Sequence, residues 1–181
     1  MPEIQVRPTT ASDLPRLMGF DHSIASEAVW QLELRRDAGQ STAIFREVRL
    51  PRSISIAYPR NPFALADDWT KRSIIYTALI GQDLVGYISL TERSMDSLVY
   101  VTDLVVHSAN RQQGVASALL SAAQDWSVAR AHRRIILEMQ SKNVPAIRLA
   151  QKFGYEFCGY NDQYYLTQDV VLFFYKALKL P

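Results

Sequence analysis

The sequence predicts an α/β (α+β) fold with a mixed central sheet, in which an antiparallel meander leads into strand, helix, strand, helix and strand. Three observations carry this. Ile74 to Ile80, Asp83 to Thr91 and Leu98 to Val106 are strand-like runs joined by short turns, at Gly81-Gln82 and near Arg93 to Asp96. Val115, Leu119, Ala122, Ala123 and Trp126 recur at helical spacing between Gly114 and Ala131. Asn143-Val144-Pro145 then reads as the start of a second helix that stops before Gly154.

The other elements follow in chain order. Glu3 to Arg7 alternates and makes a short strand with Ile4 and Val6 inward, and Ala11-Ser12-Asp13 starts a helix to about Phe20, with Pro15 in its first turn. Trp30, Leu32 and Leu34 alternate with polar residues as in a half-buried strand. Ile44 to Leu50 repeats the pattern and is ended by Pro51; Asp37-Ala38-Gly39-Gln40 joins the two as a hairpin. Residues 51 to 72 are irregular, with a short helix around Ala64 to Lys71. Ile135-Ile136-Leu137, inside the strand Arg134 to Met139, is a continuous apolar run, as expected where both faces are covered. Tyr155 to Tyr160 and Asp169 to Tyr175 close the chain as strands.

Composition bounds the function. The chain has 181 residues, 48% apolar and 21% charged, which fits one soluble globular domain. A formal charge of +2 and the lack of a basic–aromatic array disfavour nucleic acid as a partner. No apolar run is long enough to span a membrane, and the N-terminus lacks a secretion signal. Cys158 stands alone, so a reducing, cytoplasmic location is expected. Arg130, His132, Arg133 and Arg134 fall where a helix ends; they either complement its dipole or form an anion site. No metal site is expected.

The stretch Arg111-Gln112-Gln113-Gly114-Val115-Ala116 links the strand ending at Val106 to a helix. The first N–H groups of a helix lack partners within it, and its dipole puts partial positive charge there. A diphosphate satisfies both. Gly114 and Ala116 let it approach the backbone closely and Arg111 adds charge, although a tight strand–helix junction selects the same small residues.

From about Asp83 to Tyr175 the sequence resembles the GNAT superfamily of acetyl-CoA-dependent N-acetyltransferases. The resemblance rests on Arg111 to Ala116 after Leu104-Val105-Val106, and on Asn143-Val144-Pro145-Ala146 ending in Gly154-Tyr155. Leu137 to Gln140, Gly159 to Tyr165 and Val170 to Tyr175 look like the streptothricin-acetyltransferase-like branch, as does the paired-strand segment at Phe45 to Pro51. The resemblance implies a single N-acetyltransferase domain over 1–181, with a core at 73–178 and an acceptor-side segment at 20–72. It also implies acetyl-CoA as cosubstrate, held between two splayed strands: the one ending at Val106 and the one at Ile135 to Met139. Backbone groups of Leu104, Val105 and Val106 would bind the pantetheine arm. Residues of the loop and helix start, Arg111, Gln112, Gln113, Gly114, Val115, Ala116 and Ser117, would hold the pyrophosphate, with Asn143 and Ala146 ordering the cofactor.

The implied reaction is direct attack by a small-molecule primary amine. Asp103 is the first candidate base and Glu138 the second, although either carboxylate serves equally well to orient the acceptor. A backbone N–H such as that of Val105 would face the oxyanion. The family's general acid is a Tyr seven residues after the capping Asn, where this chain has Ala150. Tyr160, Tyr164 or Tyr165 would then substitute. Tyr100, Asp162 and Tyr164 are the expected acceptor contacts; Glu138, Asp162 and Asp169 would make the pocket acidic, and Trp30 and Trp69 would line it. A protein N-terminus or lysine is the alternative acceptor, and a catalytically degenerate CoA-binding regulator the alternative class. Dimers are common among similar proteins.

Overall fold

In a computed structural model the described residues are 2–93, 97–165 and 169–180; the turn expected at Arg93 to Asp96 falls largely outside them. Their strands are β1 (Ile4–Pro8), β2 (Ile24–Asp37), β3 (Gln40–Ile56), β4 (Ile74–Ile80), β5 (Asp83–Arg93), β6 (Leu98–Val106), β7 (Arg134–Gln140), β8 (Glu156–Asn161) and β9 (Val171–Ala177). Their α-helices are α1 (Leu14–Met18), α2 (Leu65–Asp68), α3 (Val115–Ala129) and α4 (Val144–Lys152). The main sheet runs β1-β4-β5-β6-β7-β9-β8, and β2 and β3 form a separate hairpin. Within the main sheet β6 and β7 are the parallel pair; the other neighbours are antiparallel.

Two apolar layers cover the main sheet. On one face, Val115, Leu119, Leu120 and Ala123 of α3 and Val144, Ile147 and Ala150 of α4 pack on Ile88, Val99, Val101, Ile135 and Leu137. On the other, Leu14 and Leu17 of α1 and Leu65 of α2 meet Ile75, Tyr87 and Val105. Arg7 in β1 pins the α1 end by donating to both oxygens of Asp13, at 2.7 and 2.9 Å.

The helix at Ala11 to Phe20 is shorter than expected: a 3-10 turn at Ala11–Asp13 leads into α1, which stops at Met18. The hairpin is longer. Pro51 does not end β3, because the pairing shifts register between Ser26–Ile54 and Ala28–Arg49, leaving Leu50 to Ser53 opposite Glu27. A bulge is where a strand tolerates a residue without an N–H. The hairpin docks through rings rather than a ladder: Phe45 meets Phe157 and Tyr160 at 5.2 Å each, and Trp30 meets Phe174 at 5.8 Å. Among the described residues, a backbone bond from the Trp30 N–H to the Ser141 carbonyl (2.9 Å) holds it beside the end of β7.

Gly86 lets α3 lie against β5 and β6. A Cβ there would stand 2.7 Å from the Val105 carbonyl oxygen and 3.1 Å from Val115 Cγ1. Replacing Gly86 by Ala is therefore expected to lower the unfolding free energy by about 1–3 kcal/mol in a urea titration. An unchanged midpoint would mean that α3 shifts freely over this strand.

Candidate active site

β6 and β7 run side by side for only part of their length. Their register spans Leu98–Arg134 to Val101–Leu137, and beyond it the strands separate. At the parting point β6 carries a bulge: Ser89 faces Asp103, Leu90 faces Val101, and Thr102 is the extra residue. The bulge inverts the alternation of side chains. Val99 and Val101 point into the α3–α4 layer; after Thr102 it is Leu104 and Val106 that do so. Asp103 would have shared the face of Val101 in a regular strand, but instead lies on the α1–α2 face with Val105.

Glu138 reaches the same face from the other strand, because Ile135, Leu137 and Met139 take the opposite one. The two carboxylates thus flank the opening, with side-chain exposures of only 5% and 3%. Arg60, from the segment between β3 and α2, lies between them. Its Nη1 donates to Asp103 Oδ1 (3.2 Å) and the Thr102 carbonyl (2.8 Å), and its Nη2 to Glu138 Oε1. Burial opposes the charge on Arg60, but Asp103 and Glu138 outweigh it and raise its pKa.

Phenols complete the network. Tyr58 donates to Asp103 Oδ1, Tyr164 to Glu138 Oε2 (2.9 Å) and Tyr165 to Glu138 Oε1 (3.1 Å). Burial first, then the neighbouring carboxylates, raise the pKa of all three, so they stay protonated and act as hydrogen-bond donors. Thr102 Oγ1 and Arg72 approach Asp103 Oδ2 at 2.9 and 3.8 Å. His22 lies beside Tyr58 with ring centroids 4.9 Å apart and the rings tilted by 49°, and burial lowers its pKa.

The backbone along the opening is equally defined. The His107 N–H donates to the Val85 carbonyl (2.9 Å), so Val105, two residues earlier, also turns its peptide groups to β5. Leu104 and Val106 turn theirs to the opening. Val105 is thus misplaced as an oxyanion donor, and the N–H groups facing the opening are those of Leu104 and Val106, Leu104 directly following Asp103 in sequence. The Val106 carbonyl already accepts from Arg111 Nε (3.1 Å).

Next to this edge, Gln112 and Gly114 have positive φ values of 60° and 91°, and Gly114 is the N-cap of α3. The loop thus turns sharply into a 15-residue helix whose first N–H groups have no partner within it, the kind of backbone that suits an anion. Gln113 braces the loop by donating to the Ala109 carbonyl (3.1 Å). Ala116 and Ser117 leave the helix start uncrowded. A diphosphate ester with an extended amide arm fits this cradle and the adjoining Leu104 edge.

Residues 41–155 match the model of the GNAT family of acetyltransferases. The chain belongs to the GNAT family. It is accordingly an acetyl-CoA-dependent acyltransferase. It is 34% identical over 117 residues to streptothricin acetyltransferase from Escherichia coli, covering 65% of this chain and 67% of that one. Its fold superposes on a nourseothricin acetyltransferase with a TM-score of 0.82 at 20% identity, over 97% of this chain and 99% of that one. It also superposes on a Bacillus anthracis protein assigned as a streptothricin acetyltransferase and solved with acetyl coenzyme A. There the TM-score is 0.77 at 23% identity, over 98% and 99% of the two chains.

Within this GNAT domain the expected residues divide. Asp103, Glu138 and Tyr164 converge at the opening. Arg111 does not present its guanidinium freely to an anion; Nη2 donates to the carbonyls of Asp21 (3.2 Å) and Ser23 (2.7 Å), tying the N-terminal segment to β6. Asn143 spends its carbonyl oxygen on the Ala146 N–H (3.1 Å), so its NH2 is the part outside the cap. Tyr160 packs on Phe45 in the aromatic layer, away from the phenols that reach the carboxylates. Tyr100 lies under Arg93 at 4.8 Å. Asp162 is half-buried, and Asp169 pairs with Lys142 and Gln140 Nε2 (2.9 Å) rather than acidifying the opening. Trp30 belongs to the aromatic layer and Trp69 to the α1–α2 layer. Ala150 is fully buried in the α3–α4 layer.

Arg60, Tyr58, Arg72 and His22 escaped the sequence reading. Their one signal is Tyr58-Pro59-Arg60-Asn61-Pro62, a polar and aromatic group between prolines in an otherwise irregular stretch. The basic cluster after α3 has an internal partner: Arg130 and His132 (3.2 Å) both contact Glu92. No described helix is long and apolar enough to cross a membrane.

Replacing Arg111 by Met strands backbone carbonyls that it now satisfies, and is expected to cost about 1–3 kcal/mol in chemical denaturation. Unchanged stability with weakened acetyl-CoA binding would show the guanidinium serving the anion instead.

Proposed function

We propose that this GNAT domain moves the acetyl group of acetyl-CoA to a primary amine of a small cationic molecule, by direct attack in a ternary complex. The observation that carries the reading is the pair of buried carboxylates, Asp103 and Glu138, on one face of the opening between β6 and β7, around a bound cation supplied by the chain itself. A site that holds a guanidinium there suits a cationic acceptor. The likeness to streptothricin acetyltransferase supports a small-molecule acceptor.

Acetyl-CoA, when bound, supplies a thioester carbonyl to the amine. The amides of Gln112 to Ser117 hold its diphosphate against the start of α3, and the Leu104 peptide groups align its arm along β6. The Leu104 N–H faces the opening and serves as the oxyanion donor. Glu138 orients the incoming amine. Asp103 takes its proton, directly or through one water. Tyr58, Tyr164 and Tyr165 donate to the two carboxylates, and with their raised pKa values none of the three is suited to give up a proton. A departing thiolate is only moderately basic, with a thiol pKa of about 8.5, so solvent can protonate it without a phenol at position 150.

Asp103→Asn is expected to lower kcat/KM by about 10²–10⁴-fold in a thiol-release assay over about pH 6 to 9, with acetyl-CoA affinity retained. Glu138→Gln is expected to act mainly on KM for the amine. Full activity of Asp103→Asn would remove it as the base; acetyl-CoA binding without thiol release across a broad amine panel would leave the regulatory reading.

A further inference from the structure

Asp103 is surrounded by donors. Oδ1 accepts from Tyr58 and Arg60, and Oδ2 from Thr102 with Arg72 beyond it at 3.8 Å. An ionised carboxylate has about four lone-pair sites, and on Asp103 three are filled and the Arg72 guanidinium stands beside the fourth, so an amine meets little vacant acceptor there while Arg60 is in place. Glu138 likewise accepts three hydrogen bonds, from Arg60 and Tyr165 on Oε1 and Tyr164 on Oε2. Arg60 therefore stands where a cationic acceptor has to be recognised.

We propose that Arg60 is a specificity-determining residue: its guanidinium holds the place of the acceptor's cationic group and is displaced when that group binds. Recognition is then an exchange of one cation for another between the same two carboxylates. An acceptor that brings a planar guanidinium, or a second ammonium beside its reacting amine, can replace what Arg60 gives up; a lone amine cannot. Neutral amines are excluded by the same exchange, because displacing Arg60 without a charge leaves two buried carboxylates unpaired.

The surrounding chain is suited to this movement. Tyr58-Pro59-Arg60-Asn61-Pro62 follows the end of β3 and has no regular structure before the turn at Pro62–Ala64. Pro59 and Pro62 have no N–H to bond to the sheet. Among the described residues, the hydrogen bonds joining residues 57–60 to the sheet come from the Tyr58 and Arg60 side chains. The Arg60 side chain is 28% exposed, so it has a path outward while the carboxylates stay covered. Its cation–π contact with Tyr165, 5.9 Å from the ring centroid, is one an incoming cation can inherit.

This inference rests on the acetyl-transfer reading only in placing the acceptor at the opening, and binding tests it apart from turnover. Agmatine, which carries a guanidinium and a primary amine, is titrated calorimetrically into wild type, Arg60→Met and Arg60→Lys. Displacement predicts agmatine affinity at least about tenfold higher for Arg60→Met, a smaller gain for Arg60→Lys, which keeps a charge without the fork, and loss of the gain when Glu138→Gln is added. Equal or weaker binding by the variants overturns the proposal and makes Arg60 a fixed strut. Arg60→Lys decides the matter alone if Arg60→Met does not fold. Tightened binding without thiol release from agmatine or other amines would count against the transfer reading and leave displacement standing; thiol release with unchanged binding would do the reverse.

Discussion

The parting of β6 and β7 after Val101 is the constraint on which the rest of the site depends. Two parallel strands that stay paired offer no backbone to a ligand and no room between them. Once they separate, the peptide groups of Leu104 and Val106 lose a neighbour and need another partner. Arg60 and Arg111 satisfy the carbonyls at either end of that stretch, Thr102 and Val106, and leave Leu104 between them. The bulge at Thr102 acts at the same point, turning Asp103 out of the apolar layer towards Glu138. One irregularity thus creates both the free backbone edge of β6 and the face on which the carboxylates meet.

Energetically the opening is expensive and therefore closely supported. Two carboxylates this buried are tolerable only with full hydrogen bonding, and the chain provides three phenols, two arginines and a threonine. Most of that support comes from residues 57–72 and from the β8–β9 connection, segments that contribute little to the sheet. The sheet sets where the charges stand, and the irregular segments determine what they meet.

The regular half of the molecule was legible because its signals are local. Alternation located β4, β5 and β6 to within two residues, and Asn143 with Pro145 marked the start of α4 by capping chemistry alone. The Arg111–Ala116 loop was readable as a strand-to-helix junction with small residues at the helix start; the left-handed backbone at Gln112 and Gly114 was not. What stayed hidden depends on distant contacts. Nothing near Arg60 in sequence shows that it meets Asp103 and Glu138, 43 and 78 residues away. The role assigned to Val105 failed for a related reason: which way its N–H points is fixed by pairing with β5. Pro51 misled because a bulge in the partner register allowed the strand to pass it.

The central claim is that acetyl-CoA lies along the edge of β6 freed by the parting, with its diphosphate at the start of α3. Amide hydrogen exchange of the full chain with and without acetyl-CoA measures this directly. Slower exchange at Leu104 and over Gln112 to Ser117 is the predicted result. Binding that protects Arg130 to Arg134 instead, and leaves those amides unchanged, would contradict it and move the anion site to the far end of α3.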